Sequence, residues 1–251
     1  MKSAALRSDA AYRLYLKLKF GTGRLTARPE PRFPNGALKN RAEWQRAFEE
    51  AKAASLPLHC GDEKNWDHLA AVFAVLGSTT TSARVLDAGA EFYSNVLPTL
   101  FAYGYRNLYG INLSFTGESR RGPIRYLPGD ITRTSFPDDY FDAVTCMSVI
   151  EHGVPLEGYF REMYRVLKPG GLLITSTDYF PAAVDTRGQM AHGSAIKIFT
   201  LAEIEEALRL AREVGFERTG DVDLECSERP VLWEQFGLEY SFVIFTLRKR
   251  G

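Results

Sequence analysis

Residues 85–95 read Val85-Leu86-Asp87-Ala88-Gly89-Ala90-Glu91-Phe92-Tyr93-Ser94-Asn95 (VLDAGAEFYSN). A short apolar run meets an acid and a glycine, then opens into a polar loop. This is the pattern of a first β-strand running into the ligand loop of an α/β domain. Such loops usually carry two or three glycines. Here Gly89 stands alone, and Glu91 falls where a second glycine is expected. From Arg84 onward β-rich and helical runs alternate: strands over 84–88, 107–112, 124–127, 140–147 and 171–176, helices over 94–103, 156–168 and 200–214. Two further strand-like runs cover 216–224 and 239–248. Alternating βαβ units imply a doubly wound, mostly parallel sheet with helices on both faces. The run over 140–147 (YFDAVTCM) is nearly all apolar, as a strand covered on both sides must be.

Composition narrows the function classes. The chain has 251 residues, 45% hydrophobic and 25% charged, which suffices for a sizeable core. Lys+Arg and Asp+Glu both total 31, so no global charge draws the chain to nucleic acid. Cys60, Cys146 and Cys226 are far apart and match no metal or disulfide pattern, so no metal is expected. No apolar run reaches the ~20 residues of a membrane span. The first residues lack the pattern of a signal peptide, and a cytoplasmic location is the expectation.

The chain divides at about residue 60 into an N-terminal extension (1–60) and the α/β domain (61–251). Residues 1–28 carry Lys2, Arg7, Arg13, Lys17, Lys19, Arg24 and Arg28 against Asp9 alone. Tyr12 to Phe20 alternates apolar and basic residues, the period of a strand, although Leu14, Tyr15 and Leu18 also fit one helix face. The segment reads as a surface element packed on the main domain, or as an arm that meets an acidic partner or membrane surface. A Gly/Pro-rich loop covers 21–40, and helices are expected over 40–54 and 64–76, the second with Trp66, Leu69, Ala70, Phe73 and Leu76 on its apolar side.

In an open α/β sheet the ligand sits beyond the carboxyl ends of the strands, where strand order reverses. The strand exits here carry Asp87, Gly89 and Glu91; Asn112 and Ser114; Gly129, Asp130 and Ile131; Ser148, Glu151 and His152; and Thr177, Asp178 and Tyr179. Polar residues at five successive exits favour a ligand crevice.

Residues 127–179 resemble the central half of a class I S-adenosylmethionine-dependent methyltransferase, of the small-molecule, type 11 kind. The resemblance rests on Gly129-Asp130, on Phe136-Pro137 ahead of Phe141-Asp142-Ala143-Val144, on Ser148-Val149-Ile150-Glu151-His152, and on Arg165-Val166-Leu167-Lys168-Pro169-Gly170-Gly171. VLDAGAEF is similar to that family's first motif and YGINLS to its second. The likeness implies a Rossmann-like seven-stranded sheet, S-adenosylmethionine as cofactor, and methyl transfer to a small-molecule acceptor such as a sugar or other metabolite. The alternative is a catalytically inactive methyltransferase-like binding or scaffold protein. On the family's pattern Asp130 contacts the adenine amino group and Ile131 flanks its ring. Gly89 lets the backbone approach the methionine part, Asp87 organises the loop or holds the amino group, Glu91 and Asn112 stand at the methionine and ribose ends, and Leu113 and Ser148 are further cofactor-binding candidates. Lys168 to Gly171 closes a helix and opens a strand, with glycine as left-handed cap.

Two positions depart from the family. Glu91 replaces a second glycine, and Asn112 replaces the acid that grips both ribose hydroxyls; an amide lacks the charge that strengthens such a grip. Pro98 falls in the helix after the loop, which therefore starts late, capped by Ser94 or Asn95. Methyl transfer from a sulfonium needs chiefly alignment, and a base only where the acceptor must lose a proton. His152 is the candidate base, with Glu151 to orient or replace it; the pair also reads as a structural cap on the next helix. His192, in the loop before the capping box Thr200-Leu201-Ala202-Glu203, is a second candidate.

Overall fold

A computed structural model of the chain describes residues 3–26, 30, 32–191 and 193–251. The helices are α1 (Asp9–Phe20), α2 (Arg41–Ala53), α3 (Asn65–Ser78), α4 (Val96–Ala102), α5 (Leu156–Val166) and α6 (Leu201–Val214). The main strands are β2 (Arg84–Ala88), β3 (Asn107–Asn112), β5 (Ile124–Pro128), β6 (Phe141–Met147), β7 (Leu167–Tyr179), β10 (Phe216–Arg218) and β12 (Leu238–Lys249). Short strands β1 (Gly36–Ala37), β4 (Ser119–Arg121) and β11 (Val231–Trp233) extend the same sheet, while β8 (Met190–Ala191) and β9 (Ser194–Ala195) form a separate hairpin.

The strand order is β5-β3-β2-β6-β7-β12-β10, parallel except for β12, and the short strands β11 and β1 share with β10 the far edge of β12. The expected doubly wound, Rossmann-like α/β sheet is present, with its seven strands and short additions at both edges. The chain steps outward from β2 through β3 to β5, returns to β6 beside β2, and proceeds to β7. The order therefore reverses between β2 and β6, and the carboxyl ends of those two strands are where an open α/β sheet takes its ligand.

Alternation along the strands sorts the core into two layers. Val85, Leu108, Ala143 and Leu172 face α3 and α4, whereas Leu86, Val144 and Leu173 face α5 and α6. In α5 the buried positions Tyr159, Phe160, Met163 and Val166 form one stripe, and in α6 Ile204, Ala207 and Ala211 do the same. Residues of the extension share the first layer: Leu6, Tyr12, Leu16, Ala51 and Leu56 lie in one apolar cluster with Val72 and Leu100.

Four local expectations need correction. Residues 12–20 are helical, because Tyr12 and Leu16, one turn apart, are the buried pair. Helix α3 is buried on nearly all sides over Leu69–Leu76, where one apolar face was expected. Helix α5 ends at Val166, and Lys168 to Gly171 forms an irregularity inside the long β7 strand: Phe141 pairs with Leu167 but Ala143 already pairs with Leu172. Gly170 is left-handed (φ 79°), yet it serves this bulge and caps no helix. Asn95 precedes α4 without capping it, because its side chain is committed elsewhere. Pro98 does sit in the first turn of α4, and Thr200 with Glu203 does form a capping box.

Candidate functional site

The loop after β2 is held by main-chain geometry. Gly89 has φ 90°, a conformation that side chains rarely adopt, and its N–H donates to Ile111 O at 2.8 Å. A Cβ here would collide with both methyls of Val149, with Cγ1 only 2.8 Å away. Gly89 thus lets the exits of β2 and β6 touch. Farther along, the Glu91 N–H donates to Ser94 Oγ (3.1 Å), Phe92 packs on Phe115 and Tyr126, and Arg121 donates to Phe92 O (2.6 Å).

Asn112 and Glu91 belong to one arrangement. The Asn112 amide is 3.2 Å from each of Gly89 O, Ala90 O and Glu91 Oε1, and its Oδ1 accepts from the Ser114 N–H at 2.8 Å. Asn112 is therefore spent on stapling the loop to the end of β3. Glu91 brings to this point the carboxylate that Asn112 lacks, and among the described residues its Oε2 has no hydrogen-bond partner. The neighbouring Leu113 is 78% exposed.

Asp130 is exposed beyond the end of β5. Its Oδ1 accepts from Thr132 N–H (2.8 Å) and Thr132 Oγ1 (2.7 Å), which fixes the side chain and leaves Oδ2 open among the described residues. Ile131, next to it, is buried with Ala88 and Ile111.

Between the ends of β6 and β7 lies a buried polar cluster. Asp87 accepts from Thr145 Oγ1 (2.8 Å), and burial pushes its carboxyl up to about 6. Ser148 has a left-handed backbone (φ 52°), its N–H donates to Ser176 O, and its hydroxyl accepts from the Lys64 amine. Lys64 lies 3.5 Å from Asp178 Oδ1, with its Nζ 3.6 Å from the centre of the Phe242 ring. Burial pulls its amine down, but Asp178, Asp67, Glu151 and Glu63 outweigh this and leave it raised. Thr177 Oγ1 donates to Glu151 at 2.9 Å, and Ser176 Oγ to Asp67 at 2.6 Å. Burial first, then Asp178, pushes the Glu151 carboxyl up to about 8, with Lys64 opposing. His152 is half-buried beside it, its N–H bonded to Val149 O. His192 lies outside the described residues.

Glu151 is accordingly a buried acid whose carboxyl burial and Asp178 hold above the usual glutamate range. A carboxyl raised in the folded state contributes stability below its unfolded value that is lost as pH rises through the folded value. For Glu151 this window runs from the ordinary glutamate range to about pH 8. Glu151→Gln is expected to match the parent near pH 4.5 and to exceed it by about 2 kcal/mol at pH 8, after discounting for the Lys64 pair. Thermal unfolding at both pH values checks this, and a difference independent of pH rules it out.

Sequence reasoning passed over Lys64. Asp67, His68 and Asn65 in the first turn of α3 are all buried, and the signal was the apolar character of the following residues on every face. Such a helix buries its polar start as well, and buried polar groups demand partners. They have them: His68 Nδ1 meets Asn95 Oδ1, Asn95 donates to Pro57 O and Asn65 Oδ1, and His59 packs edge-on to His68 and Tyr93. No group of three or more metal-ligating side chains occurs among the described residues.

A methyltransferase-domain family model matches residues 86–175. The sterol 24-C-methyltransferase erg-4 of Neurospora crassa is 34% identical over 118 residues, covering 45% of this chain and 31% of that protein. The chain thus spans about a third of the length of the curated relatives it matches. Among solved structures, phosphoethanolamine N-methyltransferase 2 of Haemonchus contortus, in complex with S-adenosyl-L-methionine, aligns with a TM-score of 0.52 at 15% identity, over 73% of this chain and 52% of that one. The [4+2]-cyclase SpnF aligns with a TM-score of 0.53 at 17% identity, over 86% of this chain and 99% of that one. These structural likenesses concern the fold. What the matched model shows is a methyltransferase-domain pattern over residues 86–175, and what the solved structures share with the chain is the fold.

Proposed function

We propose that the chain transfers a methyl group from S-adenosylmethionine to a small-molecule acceptor. The observation that carries this reading is a pair of open carboxylate oxygens at the carboxyl ends of one half of the sheet, on Glu91 beyond β2, beside the reversal, and on Asp130 beyond β5, two strands away. The donor set suits this cofactor, which bears a sulfonium and an ammonium but no phosphate: the crevice is rich in acids and lacks the glycines that cradle a pyrophosphate. When bound, S-adenosylmethionine supplies an electrophilic methyl on a cationic sulfur. The chain's residues then position the reactants. Asp130 accepts from the adenine amino group and Ile131 packs on the ring. Glu91 accepts from the ribose hydroxyls in place of the acid missing at Asn112. His152, with Glu151 behind it, takes a proton where the acceptor has one to lose. The sterol methyltransferase relatives favour an apolar acceptor of the lipid class over a sugar. The fold is shared with a cyclase, so the reaction rests on the site.

Calorimetric titration with S-adenosylhomocysteine tests the reading. Binding in the micromolar range is expected, and neither heat nor thermal shift at millimolar ligand would sink it. Asp130→Ala and Glu91→Gln should each weaken binding about tenfold or more, the worth of a charge-assisted hydrogen bond. Unchanged affinity in Glu91→Gln would return the ribose to Asn112.

A further inference from the structure

Helix α1 lies outside the crevice and presents an unusual face to solvent. Tyr12 and Leu16 bind it to the body, with the Tyr12 ring stacked on Phe101 of α4. The helical period then turns Ala10, Leu14 and Leu18 away from the body, at successive turns of the opposite side. Leu14 is 56% exposed and Leu18 78%. An outward stripe at these positions is ordinarily polar.

Cations border this stripe. Arg13, Lys17, Arg24 and Arg106 line, with Leu14, a surface cavity of about 480 Å³. Arg106 is paired with Asp9. Among the described residues no carboxylate forms an ion pair with Arg13, Lys17 or Arg24. Burial and then the nearby Arg24 hold the Arg13 guanidinium below its ordinary value, so two like charges stand close together without a counter-ion. The groups facing Arg13 are Arg24, Lys17 and Arg106 and the Phe101 ring, over which its guanidinium lies at 4.2 Å.

We propose that α1 and the segment 21–24 after it dock the protein on an anionic phospholipid surface, with Leu14 and Leu18 entering the interface and Arg13, Lys17 and Arg24 meeting headgroup phosphates. An apolar stripe with flanking cations is the composition of a helix that lies in a bilayer interface. No helix among the described residues is long and apolar enough to cross a membrane, so the contact is peripheral. A second copy meeting this face about a two-fold axis would bring the unpaired cations of both chains together, which disfavours self-association. Nucleic acid would leave the leucines without a use. The inference is independent of the methyl-transfer reading, since none of these residues lies at the β2/β6 crevice.

Co-sedimentation of the full chain with vesicles of phosphatidylcholine, alone or mixed with phosphatidylglycerol, tests the proposal. The protein should sediment with mixed vesicles only, and less as salt is raised. Arg13→Glu/Lys17→Glu/Arg24→Glu should reduce binding at least about tenfold, and Leu14→Gln/Leu18→Gln should also reduce it. The leucine variant should keep the parental Tm, because Leu14 and Leu18 face solvent, and the charge variant should lose only what the Arg13 contact with the Phe101 ring contributes. Four results would each overturn the idea: equal binding to neutral vesicles, no binding to either, full displacement by inorganic phosphate, or sedimentation-velocity dimers that Leu18→Gln abolishes.

Discussion

Lys64→Met is expected to lower stability by about 3–5 kcal/mol at pH 8, the cost of removing one member of a buried charge cluster. The amine serves Ser148 and Asp178, and Asp67 and Glu151 lie in the same buried region. Without it, these carboxylates face one another in a poorly solvated space. They relieve this by taking up protons, so the loss depends on pH. Burial already raises the Asp178 and Glu151 carboxyls, and loss of the amine raises them further. Stability carried by raised carboxyls is present at low pH and lost as pH increases, so the defect should be largest at pH 8 and small near pH 5. In a domain of this size each kcal/mol shifts Tm by about 2–4 °C, so a deficit near 10 °C is expected at pH 8. A deficit of only a degree or two there would show that Lys64 is solvated and uncoupled from the acids.

Gly89→Ala is expected to cost about 3 kcal/mol, in two separable parts. The left-handed backbone (φ 90°) charges any side chain of the order of 1–2 kcal/mol. The collision with Val149 adds an overpacking cost of about 1–3 kcal/mol. The double variant Gly89→Ala/Val149→Ala should therefore recover roughly half of the loss, since it clears the space but leaves the backbone strained. Chemical denaturation of the four proteins of the cycle measures both parts. If Val149→Ala rescues nothing, the two loops are not in contact. The same substitution moves the β2 and β6 exits apart, so S-adenosylhomocysteine affinity should fall in the single variant and partly return in the double.

Several features of the site could be read along the chain because their causes are local. The βαβ alternation, the lone Gly89, Asp130 after Pro-Gly and the Thr200–Glu203 capping box all follow from short-range periodicity or backbone restriction. Where a reading failed, the deciding contact came from far away in sequence. Residues 12–20 carry a strand-like alternation, yet packing of Tyr12 on Phe101 and Leu16 beneath it selects the helix. Asn95 looked like a helix cap, but Pro57 and Asn65 claim its amide. Glu91 and Asn112 looked like two separate defects. They are 21 positions apart, yet the Asn112 amide donates to Glu91 Oε1 at 3.2 Å.

The amino-acid order was enough to settle the α/β architecture and the acid beyond β5, since each depends on neighbours a few residues apart. The folded chain alone decided which charges share the buried floor. Lys64 reaches Ser148 and Asp178 across 84 and 114 positions, and nothing local marks that encounter. Buried polar groups must find partners wherever the sheet order brings them, and that order is a property of the whole chain.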